Sequence, residues 1–150
     1  MEGGRKHYRE LAIELVADGA IMFAVMYAMV DSAGELFFNT NNLYMTLAML
    51  SPMGILMIWA MRHMFPDRRL NIGIAVALGL LFIASLFAIR VQAGVGDKQF
   101  LRAMIPHHSG AILMCREAEI EDAQIADLCR RIGEGQRQEI EEMKAILERL

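Results

Sequence analysis

The stretch Met104-Ile105-Pro106-His107-His108-Ser109-Gly110-Ala111-Ile112-Leu113-Met114-Cys115 decides how the rest of this chain is interpreted. It holds two imidazoles, two thioethers and a thiol within a few helical turns. Soft sulfur and imidazole donors suit Cu(I), whereas Mg²⁺ and Ca²⁺ call for oxygen ligands. The stretch therefore predicts a soft-metal site on the element that carries it.

Composition divides the 150 residues into an apolar part and a charged part. The chain is 55% hydrophobic with 13 methionines, and residues 11–92 hold most of the apolar side chains. Residues 1–96 carry seven basic and seven acidic side chains, while residues 97–150 carry eight basic and eleven acidic ones. No cluster of Lys and Arg supports nucleic-acid binding. We expect a membrane domain over residues 1–92 and a helical domain over residues 97–150.

Three apolar segments have about the 20 residues that a helix needs to cross the hydrocarbon core of a membrane. They are Leu11–Val30, Leu43–Met61 and Ile72–Val91. The first contains Glu14 and Asp18. It lacks a small-residue cleavage site and is followed by two further apolar segments, so it is not a cleavable signal peptide. The sequence predicts three transmembrane helices in contact with membrane lipid.

The basic residues between these segments predict their orientation, because Lys and Arg favour the cytoplasmic side. The loop after the first segment has Asp31 and Glu35 but no basic residue. The basic residues lie before the first segment and after the second: Arg5, Lys6, Arg9, Arg62, Arg68 and Arg69. We therefore expect a multi-pass inner-membrane protein with a cytoplasmic N-terminus and a periplasmic or extracellular C-terminal domain.

The charged C-terminal third has the apolar spacing of two helices joined by a turn. The first pattern starts at Asp97, which follows Gly94-Val95-Gly96 and is a good N-cap. The second pattern runs from about residue 123 to residue 150, and residues 119–122 form the turn. These patterns predict an antiparallel helical hairpin, and so an all-α chain.

An antiparallel register centred on residue 122 predicts which side chains face each other. Cys115 faces Cys129, His108 faces Gln136, and Met104 lies near Ile140 and Met143. Residues seven apart on a helix fall about 20° short of two full turns. Five donors can therefore share one broad face of the first helix: Met104, His107, His108, Met114 and Cys115.

The pattern that contains these residues resembles a known family. It reads Asp97-x-x-Phe100-x-x-x-Met104-Ile105-x-His107-His108-x-x-Ala111-Ile112-x-Met114, followed by Gln136-x-x-Glu139-Ile140-x-x-Met143. Over residues 97–148 it is similar to the DUF305 family, and the three apolar segments resemble a membrane-anchored subgroup. The resemblance implies a ferritin-like helical domain and a role in copper binding and tolerance. The ligand set that it implies is His107, His108, Met104, Met114 and Met143, holding Cu(I) or Ag(I).

The two cysteines, Cys115 and Cys129, have three interpretations. They could form a disulfide that clamps the hairpin, act as thiolate ligands, or fill the core as small apolar side chains. The disulfide ranks slightly first because the register places the sulfurs opposite each other. We nevertheless retain Cys115 among the candidate metal ligands.

Three functions compete. Binding of a soft metal for tolerance or handover is favoured over catalysis, because the chain lacks the Glu-x-x-His motif of di-iron carboxylate bundles. A ferritin-like redox site would need a second hairpin. The remaining alternative is a structural membrane subunit whose hairpin docks a partner or dimerises, since two helices rarely bury enough apolar surface to be stable alone. In each case we expect a homo-oligomer or a partner membrane protein.

Overall fold

The computed structural model describes the backbone from Glu2 to Leu150 and the side chains from Lys6 onward. Within these residues the chain is helical without strands, as predicted. A short 3-10 turn lies at Ala33–Glu35. The five helices are α1 (Glu2–Val25), α2 (Thr40–Ala60), α3 (Arg68–Val91), α4 (Asp97–Glu117) and α5 (Ala123–Arg149). The chain forms two compact units. The first joins the chain through Val25 to Asn41–Ala93, and the second joins Met26–Thr40 to Gly94–Leu150.

In the first unit, α1 runs antiparallel to α2. Leu11 packs with Ile58 and Phe65 in a buried cluster, and the tyrosine hydroxyl of Tyr8 donates to Oδ1 of Asn71 at 2.6 Å. Gly54 permits a close approach of the helices, because a Cβ there would lie 2.8 Å from a Leu78 methyl group. Packing at one small residue thus brings α1 and α3 against α2.

The surface of this unit is apolar. α3 buries only Ser85, and large hydrophobic side chains such as Val16 and Phe87 are 74% and 66% exposed. By length and composition, α2 and α3 are long and apolar enough to cross a membrane. The part of the chain that the structure describes thus has two candidate spans, close to the predicted second and third segments.

The predicted first span is not confirmed. α1 ends at Val25, five residues before the predicted end, and its start at Glu2 adds polar residues. Glu14 and Asp18 lie within it, so its apolar character falls below that of α2 and α3. Of the three predicted spans, the second and third therefore correspond to candidate helices by length and composition, and the three-span arrangement is not confirmed.

The second unit is the predicted hairpin together with Met26–Thr40, which covers the end of the predicted first span and the loop after it. Ile105, Ile112 and Ile140 form its buried core. The turn between α4 and α5 lies where it was predicted. It ends at Asp122, whose carboxylate caps α5 by accepting hydrogen bonds from two backbone amides at 2.8 and 3.0 Å. Phe37, from the segment Met26–Thr40, packs against the same core.

Candidate metal centre

α4 carries the double histidine as one continuous helix. It begins at Asp97 with Gly96 as the N-cap, so the predicted cap is displaced by one residue. The negative charge of Asp97 still lies in the first turn, where the helix dipole favours it. Pro106 lies inside the helix and cannot donate to the carbonyl of Arg102, yet the helix continues through it.

His108 is the best-defined member of the candidate site. It is 8% exposed, and its Nε2 lies 2.8 Å from Oε2 of Glu139 on α5. A carboxylate accepts only, so Nε2 carries the proton and donates to Glu139. In the neutral form of this ring Nδ1 is then the acceptor nitrogen, and it is buried without a hydrogen-bond partner among the described side chains. A histidine oriented by a carboxylate, with its other nitrogen free, is the usual arrangement of a metal-binding imidazole.

The other predicted ligands lie in different surroundings. His107 is exposed, with its ring centroid 5.9 Å from that of His108. Met104 is half-buried one turn before His108, whereas Met114 is 59% exposed. Met143 packs against the Ile105 core. The structure thus places His107 beside His108 and does not gather all the methionines around them.

The prediction of Cys115 as a metal ligand is wrong for this state of the chain. Its sulfur is bonded to that of Cys129, with the Cα atoms 5.2 Å apart, and therefore has no thiolate to offer. The disulfide, the first-ranked alternative for the pair, is confirmed. It joins α4 to α5 across the turn, in the predicted register.

The predicted register is displaced around the histidines. His108 was expected to face Gln136, but its hydrogen bond goes to Glu139, about one turn later on α5. The amide oxygen of Gln136 is a second buried atom without a partner. Glu139 was missed as a site residue although it belongs to the pattern Gln136-x-x-Glu139, because only nitrogen and sulfur donors were sought.

The residues after His108 attach the segment Met26–Thr40 to α4. Ser109 is fully buried, accepts from the Asp31 amide at 2.7 Å and donates to the Glu35 carboxylate. At Gly110 a Cβ would lie 3.4 Å from the Met29 carbonyl oxygen, so a side chain there would crowd the segment. This face of α4 is therefore occupied by the segment.

Two ion pairs support the same attachment. Lys144 lies 3.8 Å from the Glu35 carboxylate, and Arg116 donates to Asp31. The pKa of Arg116 is raised, first by its hydrogen bond to Glu117 and then by the charge of Asp31. Asp31 and Glu35 therefore neutralise basic residues of the hairpin, and the opposite charges of the two segments are the sequence signal for this attachment.

Among the residues with described side chains, no three of the His, Cys, Asp and Glu type lie together as a metal-binding group. The donor-bearing side chains near the double histidine are the two imidazoles, the half-buried Met104 one turn earlier and the Glu139 carboxylate that contacts His108.

Comparison with known proteins supports the family. Residues 83–147 match DUF305, described as a domain of unknown function. An uncharacterized protein of Acanthamoeba polyphaga mimivirus is 32% identical over 120 residues, which cover 79% of this chain and 77% of the viral protein. A match of that length extends into the helices before residue 83. No solved structure matches the chain. The chain belongs to the DUF305 family.

Proposed function

We propose that this chain is a membrane-anchored protein that binds Cu(I) or Ag(I) outside the cytoplasm, for metal tolerance or for handover to a partner. The observation that carries the proposal is the buried, unpartnered Nδ1 of His108, whose ring is oriented by Glu139. In this proposal His108 is the central ligand through Nδ1. Binding rather than turnover is the proposed activity.

The neighbouring donors complete the proposed site. Met104 precedes His108 by four residues, and side chains at that spacing are neighbours on a helix surface. His107 and Met114 are exposed and would receive the ion from solvent, while Met143 is available from α5. Thioethers carry no proton and imidazole coordinates in its neutral form, so this set binds a soft ion near neutral pH.

The proposed topology has three spans, a cytoplasmic N-terminus and an extracytoplasmic hairpin. The start of α2 and the end of α3 lie together, since the Tyr44 hydroxyl donates to the Ala93 carbonyl at 2.8 Å. If both helices cross the membrane, the segment before α2 and the hairpin after α3 must emerge on one side. Their membership of one compact unit supports this arrangement. In the proposal α1 is the third span, packed on α2.

An exposed acidic side chain in α1 requires an explanation if α1 crosses the membrane. Glu14 is exposed and makes no ion pair within the described side chains. A carboxylate in a span is expensive in lipid and usually faces water or a bundle interior. The proposed membrane domain therefore places this face of α1 against another subunit.

A second candidate function is docking of the hairpin on a partner or on a second copy. Large apolar side chains of α4 and α5 are open to solvent, and such side chains mark an interaction surface where they form a contiguous patch. They are Phe100, Met114, Ile125 and Leu128, with exposures of 51%, 59%, 51% and 46%. Metal-free protein that copurifies with one stoichiometric partner, unaffected by loss of the histidines, would favour this function.

The test is a competition titration of the detergent-solubilised full chain with Ag(I), which needs no reductant, and then with Cu(I). The double variant His107→Ala plus His108→Ala should bind at least about tenfold more weakly, since it removes the imidazole donors. The double variant His7→Ala plus His63→Ala is the matched control, because these histidines lie in the other unit. Equal affinities of the two double variants would reject the proposed site.

A further inference from the structure

The disulfide forms part of the lining of an open cavity of about 440 Å³ in the hairpin unit. Cys115 and Cys129 both line it, and the neighbouring wall includes Ile112. Both cysteines are half-buried, so the bond is not enclosed in the core. A molecule that enters the cavity therefore comes into contact with the sulfurs.

Three arginines line the same cavity, Arg116, Arg130 and Arg137, together with one acidic residue, Glu134. Arg130 is paired with Asp127 and with Glu134, its closest contacts being 2.8 and 3.3 Å. Its side chain is 60% exposed, and ion pairs at such positions exchange readily with other partners.

Arg137 is the one of these three arginines without an ion-pair partner among the described side chains. It makes no hydrogen bond or ion pair within the part of the chain whose side chains are described. Its guanidinium lies over Gly133, since a Cβ there would be 4.0 Å from Nη1. An unpaired positive charge thus stands at the cavity that contains the disulfide.

We propose that this cavity admits a small thiol bearing carboxylates and that the Cys115–Cys129 disulfide undergoes thiol–disulfide exchange with it. The thiolate of the incoming molecule attacks one cysteine sulfur. A new S–S bond forms to the thiol, the Cys115–Cys129 bond breaks, and the other cysteine leaves as a thiolate. A second thiol molecule then resolves the mixed disulfide. The protein disulfide gains two electrons, two thiols become one small disulfide, and solvent supplies the protons for the released cysteines.

Electrostatics select the anionic thiol. Arg137 attracts the carboxylates of the incoming molecule, and the arginines beside the cavity stabilise the leaving thiolate, as positive neighbours do for reactive cysteines. A positively charged thiol meets repulsion at the same place. The inference concerns the disulfide alone and stands whether or not the histidines bind metal.

The test measures reduction of the full chain by glutathione, 2-mercaptoethanol and cysteamine, which differ in charge. Each rate is divided by the rate of the same thiol with oxidised 2-mercaptoethanol, a neutral reference disulfide. Relative to that reference, glutathione should exceed cysteamine about tenfold at low ionic strength, and added salt should reduce the ratio. Mass spectrometry should detect the mixed disulfide with glutathione on Cys115 or Cys129.

Variants of the free arginine make the test specific. Arg137→Gln should slow glutathione about fivefold, the effect of one charge at contact distance in water, and leave 2-mercaptoethanol unchanged. Arg137→Lys should restore the glutathione rate, and Arg149→Gln, at the exposed end of α5, should not alter it. Equal normalised rates for the three thiols, a disulfide that resists all of them, or an unaltered Arg137→Gln variant would overturn the proposal.

Discussion

Replacing Glu139 by alanine should weaken Ag(I) and Cu(I) binding about tenfold, or about 1.4 kcal/mol. The carboxylate contacts Nε2 of His108 at 2.8 Å and holds the ring with Nδ1 free. Loss of such an orienting partner costs 10- to 100-fold in known metal sites. The lower figure applies here because the Glu139 side chain is 59% exposed, so water replaces part of the lost interaction. Glu139→Gln keeps an acceptor without the charge, and should cost about threefold because uncharged hydrogen bonds are roughly half as strong.

The assay is the competition titration with Ag(I) used for the histidine variants. Glu142→Ala is the matched control, since this residue is exposed on the same helix and has no hydrogen bond or ion pair with any described side chain. Circular dichroism of each variant checks that the helices are retained. If the Glu139→Ala and Glu142→Ala variants bind Ag(I) with the same affinity, the reasoning that Glu139 orients a metal ligand is refuted.

Three further predictions concern stability, pH and topology. Ile105→Ala should destabilise the hairpin by about 2–5 kcal/mol because Ile105 is fully buried, and Ile125→Ala should cost far less; hydrogen exchange of the α4 and α5 amides measures both. Ag(I) affinity should fall as the pH is lowered, because protons compete with the metal for imidazole, while the thioethers leave weaker residual binding; titration from pH 5 to 8 would contradict this with a flat profile. In intact cells, a membrane-impermeant maleimide should label Ser32→Cys and not His63→Cys, and the opposite pattern would invert the proposed topology.

Local pattern was sufficient for much of the fold. The helical spacing of residues 97–150 predicted α4, the turn and α5, and the opposition of Cys115 and Cys129 followed from a count of residues about that turn. Runs of apolar residues likewise indicated α2 and α3. These features depend on interactions between neighbours in sequence, or across one short turn, and so are accessible without a structure.

Features set by distant contacts were missed. The segment Met26–Thr40 has no strong periodicity of its own, and it is fixed by Ser109 and by ion pairs to α4 and α5. Likewise, counting residues from the turn predicted Gln136 opposite His108. The side chains of two antiparallel helices do not point straight at each other, and the His108 ring contacts the Glu139 carboxylate instead. The environment that distinguishes exposed His107 from buried His108 also arises only once α5 packs on α4.

X-ray absorption at the copper edge, on the Cu(I)-loaded full chain in detergent, tests the central claim most directly. The proposed site predicts both nitrogen and sulfur neighbours around copper, with the nitrogen contribution lost in the variant that lacks His107 and His108. Copper surrounded by oxygen alone, or a spectrum unchanged by removal of both histidines, would contradict it.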